Sequence, residues 1–221
     1  MSLEVTDLAC RRAGRMVVRG LTFRLQAGEA AQIRGPNGAG KSTLLRALAG
    51  FLPVEAGDAQ LNGLSLTRDC SDFQEQVAYT GHLDAIKLPL TVRENLAHWA
   101  RIYGATPDMV EAALDHFDLA GLAAEPAALC SAGQRRRLGL ARLMVQDRRL
   151  WLLDEPTVSL DTASARRLTA LIEEHLAGGG LALIATHQDL GLAQATQIEL
   201  PPDQIPRRAG NPDPFLEGAW R

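Results

Sequence analysis

Short apolar runs alternate with helical patterns in two parts of the chain, about residues 1–80 and about residues 147–200. Four of these runs are bounded by glycine, aspartate or a helical pattern, as buried parallel strands are: residues 30–33, 77–79, 150–153 and 181–185. The stretch between the two parts, about residues 84–146, has a mostly helical pattern with loops. We therefore predict one α/β core built from the outer parts and interrupted by an inserted helical subdomain.

Three segments have the apolar spacing of amphipathic helices. The longest follows Asp161 and ends at the glycines of residues 178–180, which suit a helix C-cap. Its apolar face carries Ala165, Leu168, Leu171, Ile172 and His175. A second segment follows a predicted cap at Thr91 and carries a stripe of Leu96, Trp99, Ala100 and Tyr103. The third covers residues 110–117. We expect the first helix to pack on the sheet and the other two to lie in the inserted subdomain.

The composition is that of a folded domain. The chain has 221 residues, of which 46% are hydrophobic and 22% are charged, so it has material for a core and too little charge for disorder. We predict a single domain over residues 1–200, with its core at about 1–83 and 147–200 and its helical subdomain at about 84–146. A short tail, rich in proline, glycine and charged residues, follows at 201–221.

Charge and hydropathy narrow the choice of partners. The 23 Lys and Arg residues are outnumbered by 26 Asp and Glu residues, so the net charge of −3 argues against a nucleic-acid partner. The sequence has no apolar run long enough to span a membrane and no signal peptide. We therefore expect a cytoplasmic chain that reaches a membrane only through a partner. Cys10, Cys70 and Cys130 are far apart in sequence and are predicted to be reduced packing residues.

A phosphate-binding motif follows the first predicted strand. Residues 35–42 match G-x-x-x-x-G-K-[ST] and precede a helical run that begins near Thr43. Its residues are Gly35, Pro36, Asn37, Gly38, Ala39, Gly40, Lys41 and Ser42. The glycines allow a tight turn whose backbone N–H groups surround phosphates, and the helix N-terminus adds partial positive charge. Lys41 is predicted to reach the outer phosphates, and Ser42 to offer its hydroxyl to Mg²⁺.

Two carboxylates end the predicted strand at residues 150–153. Because parallel strands present their carboxyl ends at one edge of the sheet, Asp154 and Glu155 are expected beside the phosphate-binding loop. Asp154 is predicted to hold the Mg²⁺ shell, and Glu155 to orient or deprotonate the attacking water. His187 follows another predicted strand, so it either contacts the terminal phosphate or its water, or is structural.

A second helix N-terminus has the composition of a phosphate site. Ser131, Ala132, Gly133 and Gln134 precede a helical pattern over residues 138–145, which places a hydroxyl and nearly bare backbone at its start. Arg135, Arg136 and Arg137 in the first turn oppose the helix dipole. Either they have a functional role or they form a solvated basic face.

The order of these motifs resembles that of the nucleotide-binding subunits of ATP-binding cassette (ABC) transporters, over roughly residues 1–190. The matching stretches are GPNGAGKS, CSAGQ, LWLLDEP, SLD at residues 159–161, and the late His187. The resemblance implies ATP hydrolysis with Mg²⁺ and a P-loop NTPase core, in which a mostly parallel sheet is flanked by helices. It also implies an inserted helical subdomain and a small N-terminal β region. Finally, it implies a head-to-tail homodimer, in which residues 131–134 of one copy face the P-loop of the other and Asp161 lies in the loop linking the two sites.

Within that family, three stretches are similar to the ATPases of the haem exporters of cytochrome c biogenesis. They are SAGQRRRLGLARL, GHLDAIKLPLTVRENL after Tyr79, and DLACRRAGRMVVRGLTF near the N-terminus. The similarity implies a peripheral subunit on the cytoplasmic face of the cell inner membrane, with integral membrane partners. It implies that ATP hydrolysis powers haem export or release of haem already loaded on a periplasmic chaperone. Residues 82–93 are our predicted docking segment for the partners.

The chain departs from the family pattern at two places. Where family members stack adenine on an aromatic side chain, this chain has CRRAG, so Arg11 or Arg12 is the substitute. Where the family has a glutamine that touches Mg²⁺, this chain has His82 or Leu83. Counting back from Thr91 favours His82, which either ligates or hydrogen-bonds a water at the metal, or is an ordinary loop histidine.

Three other functions fit parts of the pattern. The first is an ABC exporter subunit for another cargo, which has identical ATP chemistry. The second is a soluble ABC-type clamp on nucleic acid or ribosomes, but such proteins usually carry two cassettes or a long coiled coil, and this chain has no heptads. The third is a P-loop kinase, which gives no reason for the CSAGQ stretch.

Overall fold

The computed structural model describes residues 1–188, 190–192 and 195–201, and the predicted tail beyond residue 201 lies outside this range. Within the described residues the strands are β1 (Ser2–Arg12), β2 (Arg15–Gln26), β3 (Ala30–Arg34), β4 (Val54–Leu61), β5 (Leu64–Ser65), β6 (Val77–Thr80), β7 (Leu150–Asp154), β8 (Leu181–Ala185) and β9 (Ala195–Glu199). The helices are α1 (Lys41–Leu48), α2 (Cys70–Glu75), α3 (Val92–Tyr103), α4 (Pro107–His116), α5 (Ala132–Ala141) and α6 (Thr162–Ala177). None of the described helices has the length and hydropathy needed to cross a bilayer.

The strands form two sheets. A parallel sheet has the order β6-β7-β8-β3-β9, and an antiparallel sheet near the N-terminus has the order β2-β1-β4-β5. All four predicted buried strands are confirmed and belong to the parallel sheet. The predicted fold class, a parallel sheet flanked by helices with a small N-terminal β region, is therefore confirmed.

Side chains of the buried strands point alternately to the two faces of the parallel sheet, and a separate core cluster lies on each face. Trp151 and Leu153 of β7 face a cluster that includes α6 and the helices between β6 and β7. Leu150 and Leu152 face the opposite cluster, which joins α1 to the antiparallel sheet. Since successive strand side chains point to opposite faces, one continuous apolar run serves both layers. The parallel sheet is therefore the middle layer.

Side-chain caps fix where the predicted helices begin. Thr91 and Glu94 form a capping box at the start of α3, and Asp161 Oδ1 accepts a hydrogen bond from the Ser164 N–H at the start of α6. The predicted helices after Thr91 and Asp161 are thus confirmed, and α6 ends at Gly178 as expected. The pattern over residues 138–145 is not one α-helix, because α5 ends at Ala141 and a 3₁₀ helix continues from Arg142 to Val145.

The three cysteines are free thiols. Cys10 and Cys130 are buried in opposite core clusters, and Cys70 is partly buried against the cluster that contains Cys10. The prediction that they are packing residues is confirmed.

Candidate nucleotide-binding site

The loop between β3 and α1 is wound around the ammonium group of Lys41. Gly35, Gly38 and Gly40 all have positive φ values, of 142°, 87° and 102°. At Gly35 a side chain is excluded, because a Cβ atom there would lie 2.6 Å from the Leu200 carbonyl oxygen. Lys41 Nζ donates to the carbonyl oxygens of Gly35 at 2.8 Å and Pro36 at 3.3 Å. The loop therefore holds a nearly buried cation at the edge of the sheet. The contact of Lys41 with the outer phosphates stays a prediction.

A hydroxyl and a carboxylate meet beside this loop. Ser42 Oγ donates to Asp154 Oδ1 at 3.0 Å, and Asp154 is only 3% exposed. The other carboxylate oxygen accepts a long hydrogen bond of 3.5 Å from the Tyr79 hydroxyl, which in turn accepts one from Arg46 Nε at 3.3 Å. Hydroxyl and carboxylate oxygens are the hard ligands that Mg²⁺ takes together with phosphate oxygens. Ser42 and Asp154 therefore fit the Mg²⁺ shell of a bound nucleotide.

Burial governs the ionisation of the Tyr79 phenol. Removal from water raises the pKa of Tyr79, and the charge of Asp154 raises it further, whereas Arg46 lowers it. The phenol therefore keeps its proton at neutral pH and serves as the donor to Asp154.

Glu155 and His187 lie close to Lys41, just after the carboxyl ends of β7 and β8. Glu155 has a positive φ of 46°, and its N–H donates to the Ala185 carbonyl oxygen at 2.8 Å. Its Oε1 lies 3.6 Å from His187 Nε2, which is 3.1 Å from Lys41 Nζ and 3.0 Å from Asn37 Oδ1. One ring nitrogen accepts from Lys41 or donates to Asn37, but not both. The protonation of the His187 ring nitrogen therefore determines whether it bonds to Lys41 or to Asn37.

Residues 131–134 form the exposed start of α5. Ser131 Oγ accepts from the Gln134 N–H at 3.2 Å, and Gln134 Oε1 accepts from the Ser131 N–H at 2.7 Å, which is a capping box. A Cβ on Gly133 would lie 3.1 Å from the Ser159 carbonyl oxygen, so the residue there must be small. Among the described residues no hydrogen bond joins this segment to the P-loop of the same chain. Ser131 and Ala132 are exposed at this helix end.

Asp161 is exposed at the start of α6. The hydrogen bond from the Ser164 backbone lowers the pKa of Asp161, so the cap stays ionised.

His82 and Leu83, the two candidates for the missing glutamine, face different surroundings. His82 lines a cavity of about 200 Å³ beside Ala132 and Ser159, and it is exposed. Within the described residues His82 has no hydrogen bond to the Ser42–Asp154 pair. Leu83 is 82% exposed and lines another cavity with Tyr79. The structure therefore places His82 toward the start of α5, and the assignment of His82 to the metal stays a prediction.

The structure bears on two of the sequence expectations for arginines. Arg11 forms a two-pronged salt bridge to Glu55, at 3.2 and 3.3 Å, and donates to the Gly14 carbonyl oxygen. The stacking of adenine on Arg11 or Arg12 stays a prediction. Arg136 does not lie on a solvated basic face, because it is only 5% exposed. The expectation of a solvated face is wrong for Arg136, whose partners are distant in sequence.

Sequence reasoning did not single out Tyr79 and Arg46 as parts of the site. Tyr79 ends β6, which pairs with β7, and Arg46 lies one turn after Ser42 on α1. The sequence did hold a signal for Tyr79, because the carboxyl end of a predicted parallel strand lies at the same edge of the sheet as Asp154.

Comparison with known proteins identifies the family of this chain. The ABC transporter family profile matches residues 18–158. The cytochrome c biogenesis ATP-binding export protein CcmA of Cereibacter sphaeroides is 49% identical over 218 residues, covering 97% of this chain and 98% of that protein. CcmA of Paracoccus denitrificans is 48% identical over 217 residues, covering 97% of each chain.

A solved structure has the same fold. An ABC transporter ATP-binding protein of Pyrococcus furiosus superposes with a TM-score of 0.80 at 24% identity, covering 90% of this chain and 98% of that one. With a P-loop, an acidic strand end and a capped second helix in place, the chain belongs to the ABC transporter family as an ATPase subunit of the CcmA type.

Proposed function

We propose that this chain binds and hydrolyses Mg²⁺-ATP to power a membrane complex of cytochrome c maturation. The observation that supports it most is the meeting of Lys41, Ser42, Asp154, Glu155 and His187 at one edge of the parallel sheet. The CcmA relatives, named as cytochrome c biogenesis ATP-binding export proteins, support the assignment of the pathway. The work done is the export of haem or the release of haem already bound to its periplasmic chaperone.

The residues divide the hydrolytic step among them. Lys41 leaves its loop carbonyls and binds the outer phosphates, while the N–H groups of residues 35–43 surround them. Ser42 and Asp154 hold Mg²⁺, which when bound neutralises charge on the phosphate oxygens. Glu155 accepts a proton from the water whose oxygen attacks the γ-phosphorus, and the bond to the β-phosphate oxygen breaks to give ADP and phosphate. His187 orients that water or donates to the γ-phosphate.

A second copy of the chain completes the site. Residues 131–134 form the exposed N-terminus of α5, whose partial positive charge suits the γ-phosphate held by another copy. ATP then lies between the P-loop of one copy and the capped helix of the other, and Asp161 lies in the loop connecting the two sites. The resulting head-to-tail homodimer forms when ATP is bound.

The membrane partners dock in a groove beside the P-loop lobe. This groove, of about 450 Å³, is lined by Ala49, Phe51, Gln74, Val77, Tyr79, Gly81, Leu83, Ala85, Trp99, Tyr103, Arg142, Gln146 and Arg148. Phe51 is 62% exposed, and Leu83 and Ala85 of the predicted docking segment also line the groove. We assign the groove to a cytoplasmic helix of an integral subunit with an apolar face. The chain is then peripheral on the cytoplasmic face of the inner membrane.

Nucleotide binding tests the first part of the proposal. Lys41→Ala is expected to weaken binding of a fluorescent ATP analogue and to abolish phosphate release. Lys87→Ala is the matched control, since Lys87 is exposed and its Nζ contacts His98 at the surface. Unchanged affinity and turnover in Lys41→Ala would contradict the P-loop assignment.

Affinity purification from native membranes tests the rest. Two small integral subunits and a haem-binding protein, with haem absorbance, are expected to copurify with the chain. Leu83→Asp is expected to lose these partners, and Ile102→Asp, at a 57% exposed apolar residue outside the groove, to keep them. Copurification of an unrelated permease would leave the ATP site standing and show that the cargo is different.

A further inference from the structure

The guanidinium of Arg136 is buried, and the proposed hydrolytic step gives it no role. Arg136 is the fifth residue of α5, near the end of the helix where a positive charge opposes the helix dipole, and its side chain is only 6% exposed. A charge removed from water at an unfavourable helix end must be matched by specific partners. Those partners lie outside the helix.

Arg136 hydrogen-bonds to two other segments. Nη1 donates to the Gly81 carbonyl oxygen at 3.0 Å and to Asp84 Oδ1 at 2.8 Å, in the segment after β6. Nη2 donates to the Glu155 carbonyl oxygen at 2.8 Å, and Nε donates to the Pro156 carbonyl oxygen at 3.3 Å, directly after β7. One side chain thus ties α5, the segment after β6 and the catalytic strand end together.

The contact to Glu155 falls on a residue whose backbone needs support. Glu155 has a φ of 46°, a region that residues with a side chain rarely adopt. Its N–H is held by the Ala185 carbonyl oxygen at 2.8 Å, and its own carbonyl oxygen is held by Arg136. With both backbone polar groups held, the position and direction from which the Glu155 side chain leaves the backbone are fixed.

The packing around Asp84 indicates that this arrangement is specific. Gly139, nearly one turn along α5 from Arg136, leaves room for Asp84, because a Cβ at Gly139 would lie 2.9 Å from Asp84 Cβ. The neighbouring arginines bond elsewhere: Arg135 to the Cys130 carbonyl oxygen, and Arg137 to Phe117 and Asp118. Of the three consecutive arginines, Arg136 alone bonds to the strand end that carries Glu155.

We propose that Arg136 is a positioning residue that holds Glu155 in its hydrolytic orientation and couples that orientation to the start of α5 and to residues 81–84. This inference rests on the proposed ATPase function. Arg136 touches no substrate, so it acts on the rate of the chemical step through Glu155 and leaves the phosphate-binding loop alone. Since residues 81–84 also line the docking groove through Gly81 and Leu83, the same guanidinium connects the groove to the catalytic carboxylate.

The test separates ATP binding from turnover. Arg136→Gln is expected to lower kcat about tenfold to a hundredfold, because small misplacement of a catalytic group has effects of that size, with ATP affinity changed less than about twofold. Arg137→Gln, whose bonds stay within the helical segment, is the matched control and is expected to keep kcat. Inactivity of the wild-type chain would instead overturn the proposed function.

A double-mutant comparison distinguishes positioning from general destabilisation. If Arg136 acts through Glu155, adding Arg136→Gln to Glu155→Gln lowers the residual single-turnover rate no further. An equal loss in both backgrounds, or weaker ATP binding with unchanged kcat, would overturn the inference.

Two milder variants keep the test decisive if Arg136→Gln does not fold. Arg136→Lys keeps the charge but not the fork of donors, and Asp84→Asn removes the charged partner and keeps the carbonyl contacts. Both are expected to lower kcat in the same direction, and wild-type kcat in both would overturn the inference.

Discussion

Ser42 Oγ lies 3.0 Å from Asp154 Oδ1, although 112 residues separate them in sequence. In the sheet, β8 lies between β7, which ends at Asp154, and β3, which precedes the helix that carries Ser42. The contact forms because α1 begins at the carboxyl edge of the sheet, where β7 also ends. The pair presents hydroxyl and carboxylate oxygens at one point, the two kinds of ligand needed for Mg²⁺ beside a phosphate.

Removing the charge of the Asp154 carboxylate is expected to change the Mg²⁺ concentration needed for ATP binding more than it changes the direct contacts to the nucleotide. For Asp154→Asn we expect the Mg²⁺ midpoint for ATP binding to rise at least about tenfold, as the loss of a charged metal ligand or its support does. Binding of the nucleotide in EDTA should stay near wild type, because Lys41 and the loop are untouched. Titrating Mg²⁺ at fixed ATP analogue measures both, and an unchanged midpoint would show that Asp154 does not hold the metal.

Glu155→Gln isolates the proton-accepting group. The amide keeps the shape of the side chain but cannot take a proton, so turnover is expected to fall about a hundredfold or more while ATP binding persists. A nucleotide-bound dimer should then accumulate, because hydrolysis no longer releases it. Phosphate release and light scattering with ATP are the measurements. Hydrolysis at the wild-type rate would move the base role to another residue.

Tyr79→Phe tests the support behind the metal ligand. The variant loses only the hydroxyl that reaches Asp154 at 3.5 Å and keeps the ring that packs edge-on against Phe51 at 5.4 Å. Because this hydrogen bond is long, we expect a rise of only a few fold in the Mg²⁺ midpoint, smaller than for Asp154→Asn. Phe51→Leu is the control that changes the ring contact and leaves the hydroxyl in place. A loss in Tyr79→Phe as large as in Asp154→Asn would contradict this ranking.

Local sequence patterns predicted the parts of the site that lie within single segments. The P-loop motif, the acidic end of β7, the cap at Thr91 and the helix starts near Ser131 and after Asp161 each depend on neighbours a few residues away. The partners of Arg136 could not be read in this way, because Gly81 and Glu155 lie 55 and 19 residues from it. For the same reason the sequence left His82 and Leu83 unresolved, since their surroundings depend on how the segment after β6 packs against α5.

Burial makes Cys10 the least reactive thiol in the chain. Removal from water raises the pKa of Cys10 to about 11, so almost no thiolate exists at pH 8. Cys70 is partly exposed, and we expect a disulfide reagent at pH 8 to label it first and to reach Cys10 only after unfolding. Labelling of Cys70 gives a fast phase of the reaction, and this phase should disappear in the control Cys70→Ser. A fast phase that survives this substitution would mean that a buried thiol is accessible in the native chain.

Acid should destabilise the chain through His175. The imidazole stacks on Trp151 with ring centroids 3.9 Å apart, and burial lowers the pKa of His175, with the nearby Arg149 charge acting in the same direction. The unfolded chain, in which histidine has its ordinary pKa of about 6.5, therefore binds a proton more readily than the folded one. The stability from the neutral imidazole is present above that pKa and is lost as the pH falls below it, toward the pKa of the folded state. Urea unfolding between pH 8 and pH 5 should show this decline in the wild-type chain and a shallower one in His175→Phe, which keeps a ring against Trp151. Equal slopes in the two proteins would show that His175 does not contribute.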